Sequence, residues 1–424
     1  MIKHINKFKE KKNLIMVVAS NVMVKCIAFF PSVFLARFLT KAELASLSYA
    51  DNILGYFLIF AGLGMSNSLL RYCTHSNEGK NRAYFNFALK NGVITNIIFA
   101  VVGIIIFQNI TFSFSDVKTL LITLVFTNVF QYIYECISYY IRTQMKFELY
   151  SKSNVFFSLE KLVLLILFTY FLGLAGTVIS RYICLFIIIA ILLSKGIGRT
   201  NKKYYLKTEE KKEFVKYSIT TMVFTGCSTL MPLNEMFLVN NLLNDSIVTA
   251  NYKTAMAIPY NLIFLATSIM VYYAPIFSQH EQSNDYEWIR RKSKELTIKV
   301  TIVYVAITLF MIAAAKYIIL FIYGEKYLDS VFLMQILTVA YAVNASIRTV
   351  PMNILYAIGL VKNNAYNMGI SMIVHFILDY AFLNFMGING IAFASIIVYS
   401  LSGLQMWWAL TKCVNEKKGK GSLL

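Results

Sequence analysis

The chain has 424 residues, 58% hydrophobic and only 14% charged, with a mean hydropathy of +0.61 and a formal net charge of +19. Soluble domains are about 45–50% apolar, so this composition excludes a soluble globular chain. The apolar excess lies in runs long enough to cross a hydrocarbon core of about 30 Å as helices, and runs such as LVLLILFTYFLGL lack the alternation a closed barrel requires.

In chain order, a short basic tail, MIKHINKFKEKK, precedes the first apolar run. That run is long and lacks a small-residue cleavage pattern, so it reads as a span and not as a leader. About twelve spans follow, at roughly 14–36, 46–70, 84–107, 117–141, 153–173, 175–195, 214–243, 247–276, 296–322, 328–357, 361–385 and 387–411. The longest polar interval is Lys195–Lys216, KGIGRTNKKYYLKTEEKKEFVK, with six spans on either side. The six cysteines have no CxxC spacing and fall mostly in apolar runs, as small buried hydrophobes do.

Charge placement gives the expected topology. With the N-terminus in the cytosol, the cytoplasmic segments hold 29 of the 40 lysines and arginines. External segments hold only Arg37, Lys41, Lys118, Lys316 and Lys326. Such an asymmetry follows the positive-inside rule and places both termini inside. It also accounts for the net charge without nucleic acid, which is not an expected partner.

An internal repeat divides the chain. FTYFLGLAGTVISRYI (Phe168–Ile183) and FLNFMGINGIAFASII (Phe382–Ile397) align at a constant offset. Phe168, Phe171, Gly173, Gly176 and Ile183 return as Phe382, Phe385, Gly387, Gly390 and Ile397. Both segments turn between the last two spans of a half. The expected fold is therefore an all-α polytopic membrane protein. It has a six-helix lobe over 1–195, a cytoplasmic basic linker over 196–213 and a second lobe over 214–424. Six spans is an even number, so the repeats are parallel, with a central cavity between them.

Four stretches carry a family resemblance. Arg37–Tyr72 does so through Arg37, Leu39, Glu43, Gly62, Leu63, Arg71 and Tyr72, and Leu320–Leu337 through Tyr323, Gly324, Glu325, Tyr327, Leu333 and Leu337. Leu355–Asn367, with Ala357, Gly359 and Lys362, and Gly387–Ser395 complete the set. Together they resemble the multidrug/oligosaccharidyl-lipid/polysaccharide exporter superfamily, and within it the polysaccharide branch of Wzx-type O-antigen flippases. Where many relatives carry an acid followed by a cation in the seventh span, this chain has Glu235 and Met236.

The resemblance implies two six-helix bundles in a V shape. It implies a flippase moving an undecaprenyl-diphosphate-linked oligosaccharide, an O-antigen or related lipopolysaccharide repeat unit, from the cytoplasmic to the periplasmic leaflet of a bacterial inner membrane. An H+ or Na+ gradient is the expected drive, and polymerase and chain-length proteins of the same pathway are the expected partners besides membrane lipids. A drug antiporter of the same superfamily is the alternative. A membrane-embedded glycan polymerase fits less well, because the external loops are short and poor in acids. HExxH, GxxxxGK[ST] and GxSxG motifs are absent, so no enzyme activity, metal or cofactor is expected.

A charge inside a bilayer costs about 2.5–3.5 kcal/mol on insertion scales, so each invites a reason. Lys90, Lys161, Arg181 and Lys253 lie near span ends and read as snorkelling side chains. Lys25 and Arg348 lie too deep for that. For a diphosphate head group they are the expected cavity cations, with a buried ion pair as the other reading. Arg71 suits either the cavity entrance or a topology anchor. Glu235 follows Pro232 by three residues and is a candidate coupling carboxylate. Asp379 sits one turn after His375, as a proton relay or a satisfied polar pair.

Overall fold

The computed structural model describes residues 19–20, 23–73, 78–112, 114, 116–197 and 204–421. The basic N-terminal tail and residues 198–203 of the linker lie outside them. The described residues are helical nearly throughout and contain no strand. The chain forms two compact units, Met1–Phe237 and Leu238–Leu424.

The first unit contains α1 (23–38), α2 (Lys41–Ile59), α3 (Met65–Tyr72), α4 (Glu78–Asn109), α5 (Val117–Leu124), α6 (Thr127–Thr143), α7 (Phe147–Ser194) and nearly all of α8 (Thr208–Leu238). The second contains α9 (Ser246–Asn261), α10 (Ile263–Gln282), α11 (Tyr286–Ile322), α12 (Val331–Val343), α13 (Val350–Ala357), α14 (Val361–Met386) and α15 (Ile388–Gly421). Among the described residues, eight helical stretches are long and apolar enough to cross a membrane by length and composition. One of them, the 48-residue α7, holds both the fifth and the sixth predicted spans. The described part of every predicted span falls on helical turns, so the protein is an all-α, multi-pass membrane protein.

Local chemistry explains where helices start and break. Thr40 and Glu43 form a reciprocal capping box at the start of α2: the Thr40 hydroxyl accepts from the Glu43 N–H, and the Glu43 carboxylate accepts from the Thr40 N–H at 2.9 Å. The second predicted span is broken at Ala61–Gly64, where Gly62 has φ +57. Packed against it is Tyr132, fully buried, its hydroxyl donating to the Ala88 carbonyl at 2.8 Å. A Cβ at Gly62 or at Gly92 would sit 2.0 Å from that side chain. Both glycines make room for one ring.

The sequence repeat is also a repeat of backbone geometry. Gly173 has φ 56 and ψ −134, and its counterpart Gly387 has φ 62 and ψ −151. This region is open in practice only to glycine and costs another residue about 1–3 kcal/mol. A Cβ on Gly176 would come within 1.9 Å of the Phe168 carbonyl oxygen, and one on Gly390 within 2.1 Å of the Phe382 oxygen. The space beside Gly173 and Gly387 is open. Gly173→Ala and Gly387→Ala are therefore expected to destabilise by about 1–3 kcal/mol through strain alone. Gly176→Ala and Gly390→Ala should cost more, because the clash is with backbone. Thermal unfolding in detergent checks this ordering, and an unchanged Tm for Gly387→Ala would contradict it.

Candidate functional site

In the first unit, α2 and α7 carry a charge cluster. Arg181 makes a two-point bond to Asp51: Nη2 donates to Oδ2 at 2.8 Å and Nη1 donates to Oδ1. A guanidinium and a carboxylate matched this way form a strong, planar pair. The side chains remain 21% and 35% exposed, so the pair is not sealed in a core. Lys161 is exposed and lies within the field of both groups. Beside it, both carboxyl oxygens of Glu160 are buried with no hydrogen-bond partner among the described residues.

This corrects the snorkelling reading of Arg181. A matched depth explains the pairing. Asp51 is ten residues into α2, and Arg181 is eight residues past the Gly173 turn. At 1.5 Å per residue both lie roughly 12–15 Å from the same end. Depth matching of a lone acid and a lone cation was the signal available in the sequence.

Nearby, α2 meets α8 around Pro232. Asn52 donates to the Leu233 carbonyl at 2.7 Å, and Tyr56 donates to Asn234 at 2.8 Å. Glu235, one turn beyond, is fully buried. Glu135 is held by its own helix neighbour Gln131, which donates to it at 2.9 Å. Lys25 is exposed on α1.

Arg71 is exposed at the end of α3, its guanidinium 4.5 Å from the Tyr217 ring. Tyr72, Tyr84, Phe214 and Tyr217 make an aromatic cluster there. The far end of the linker docks beside it. Glu210 pairs with Lys80 at 2.7 Å and accepts from the Lys207 N–H at 2.9 Å and the Tyr204 hydroxyl at 3.1 Å. The Lys80 bond, then the backbone N–H, holds the Glu210 carboxyl below its ordinary range.

In the second unit, Arg348, His375 and Asp379 belong to one buried polar network. The tenth predicted span widens to a π-helical turn over Asn344–Thr349, a distortion frequent at functional sites. Pro351 follows and lacks an N–H, which releases the Ile347 carbonyl. Gly403 allows α15 to approach that carbonyl; a Cβ there would sit 2.9 Å from its oxygen. Arg348 is 8% exposed. Its Nε donates to Ser402 at 3.0 Å and its Nη1 to Asn344 at 3.2 Å, with the Tyr399 ring 5.7 Å away.

Tyr399 joins the two halves of the network, its ring centroid 5.6 Å from that of His375. His375 Nε2 lies 3.1 Å from the Ser395 hydroxyl and 3.4 Å from the Asp379 carboxylate. His375 and Asp379 are 1% and 0% exposed. Sequence reasoning singled out the three ionisable residues and missed Tyr399, Ser402 and Asn344, whose polar groups carry no signal alone.

The helical plan with charged clusters inside its spans defines a polytopic helical membrane protein. A family model described as "Polysaccharide biosynthesis protein" matches residues 34–332, and the chain belongs to that family. No curated protein matches the sequence. Among solved structures the fold is similar to an inward-facing multidrug-resistance MATE family transporter of the MOP superfamily. The TM-score is 0.78 at 12% identity, over 96% of this chain and 99% of that one. It is also similar to the lipid II flippase MurJ in an inward closed conformation, with TM-score 0.75 at 17% identity over 94% and 87% of the two chains. A mutant MATE transporter of Vibrio cholerae follows, with TM-score 0.61 at 15% identity over 96% of each. These likenesses establish the fold.

Proposed function

We propose that this protein is a flippase for an undecaprenyl-diphosphate-linked oligosaccharide, carrying a surface-polysaccharide repeat unit from the cytoplasmic to the periplasmic leaflet of a bacterial inner membrane. The observation that carries the reading is the cationic chemistry inside the spans of a polysaccharide biosynthesis family member. Arg181 and Lys161 stand together in the first unit, and Arg348 is held in the second. A diphosphate loses hydration as it crosses, and fixed guanidinium and ammonium donors replace it. The Asp51 carboxylate occupies the Arg181 fork with the geometry a phosphate would take, so an incoming head group exchanges with it.

Lys25 and Arg71, both exposed, join Arg348 as further head-group cations in this proposal. Glu235 and the His375–Asp379 pair are its coupling groups for H+ or Na+. Transport runs by alternating access of lobes 1–195 and 214–424, tethered by the basic linker, with both termini in the cytosol. Pathway polymerase and chain-length proteins act downstream. Deleting the gene in its native host is expected to abolish surface polysaccharide and to accumulate lipid-linked oligosaccharide inside. An unchanged surface glycan would refute the assignment.

A further inference from the structure

The second unit has a cleft of about 340 Å³ where the end of α13 meets the start of α14 and the middle of α15. Its volume lies at the small end of ligand clefts, which run about 300–1,000 Å³. Its chemistry differs from that of both charged clusters. Among the described residues, no charged side chain lines it. The lining combines two aromatic rings, Tyr366 and Trp408, with three carboxamides, Asn363, Asn367 and Gln405, over an apolar floor that includes Leu355.

The rings are open: Tyr366 is 70% exposed and Trp408 is 62% exposed. Lys412 reaches the Trp408 ring at 5.1 Å and leaves most of it uncovered. The amides divide into one that is saturated and two that are available. Asn367 donates to Gln405 Oε1 at 2.9 Å and accepts from the Ser402 hydroxyl at 2.6 Å. That bond fixes Gln405 by its oxygen and leaves its NH2 for a ligand. Asn363 is exposed and offers both donor and acceptor.

We infer that this cleft is a sugar-binding subsite, taking an uncharged pyranose ring of the lipid-linked glycan. The inference rests on the flippase reading above. A pyranose has an apolar C–H face, which stacks on an aromatic ring. Its rim of hydroxyls each donates and accepts, which matches carboxamides, since each carries both kinds of group. Lys412, over the Trp408 ring, is not among the lining residues, so among the described residues the lining itself offers a diphosphate carboxamides and no counter-charge. The wall is also wired inward: Asn367 and Ser402 connect Gln405 to the Arg348 guanidinium, so glycan contact and the buried cation share one hydrogen-bond chain.

The test uses the full chain in its native host, with the gene deleted and variants restored at matched membrane levels. Trp408→Ala and the pair Asn363→Leu with Gln405→Leu are each expected to lower surface glycan about five- to tenfold, the scale of one lost stacking contact or one or two lost hydrogen bonds. Trp408→Tyr should restore most of the loss, since a second aromatic ring stacks equally. Wild-type glycan in Trp408→Ala and in the amide pair overturns the subsite. Equal loss in Trp408→Ala and Trp408→Tyr also overturns it, because a merely structural tryptophan would behave so. The deletion strain separates the two ideas. Glycan unaffected by deletion refutes the flippase, whereas glycan lost on deletion but intact in the variants refutes only the sugar subsite.

Discussion

Surface polysaccharide is expected to disappear when Arg348 is replaced by methionine, while the protein still folds and reaches the membrane. The two substitutions usually made at such a site answer different questions. Arg348→Ala empties a site only 8% exposed and leaves Ser402 and Asn344 short of a donor. Each buried group left unsatisfied costs about 1–3 kcal/mol, so alanine risks a loss through instability alone. Methionine leaves the same two acceptors without a donor, but it fills the volume that alanine would empty and removes a buried charge whose desolvation is itself costly, which offsets part of that loss. Arg348→Met should therefore keep its stability within about 2 kcal/mol of wild type and still fail to transport. Arg348→Lys keeps the charge and loses the fork that serves Ser402 and Asn344 together, so partial transport is expected. Glycan at the wild-type level in Arg348→Met would show that the guanidinium serves packing only.

The parts of this protein that were legible in the sequence are those set by local chemistry. Hydropathy marked the apolar helical stretches, because a bilayer tests length and apolarity segment by segment. The paired turns at Gly173 and Gly387 were visible because the backbone there admits almost only glycine, and that leaves a mark at a constant offset. The 3.4 Å approach of His375 to Asp379 follows from one helical turn.

What could not be read depends on contacts far apart in the chain. Nothing near Gly62 announces that Tyr132, seventy residues on, will fill the space a side chain there would need. The docking of the linker's far end on Lys80 joins residues 130 apart in sequence. The π-helical turn at Asn344–Thr349 packs beside α15, and Tyr399 looks like any apolar-run tyrosine until Arg348 and His375 flank it. Lone polar atoms in spans become informative only as networks, because burial makes each depend on its partner.

A double-mutant cycle at Asp51 and Arg181 is expected to separate stability from transport. Removing either member alone leaves a charge in the spans without its counter-charge. For a fully buried pair that costs about 3–5 kcal/mol; with a fifth to a third of each side chain exposed, about 2–3 kcal/mol is expected here. Asp51→Asn and Arg181→Met should each lower the Tm. The double variant should recover much of the loss, with a coupling of about 1–3 kcal/mol between residues in direct contact. Transport then divides the readings. If the pair only bolts α2 to α7, the double variant regains surface glycan along with stability. If Arg181 also meets the diphosphate, the double variant regains Tm and remains inactive, because the fork is gone whichever acid is present. Asp51→Asn alone keeps the fork and removes its competitor, so it should retain head-group affinity and release substrate slowly. In vesicles this appears as a lowered KM together with a lowered maximal rate. Full glycan in the double variant would remove Arg181 from the transport path and leave Lys161 as the first unit's remaining head-group cation in this cluster.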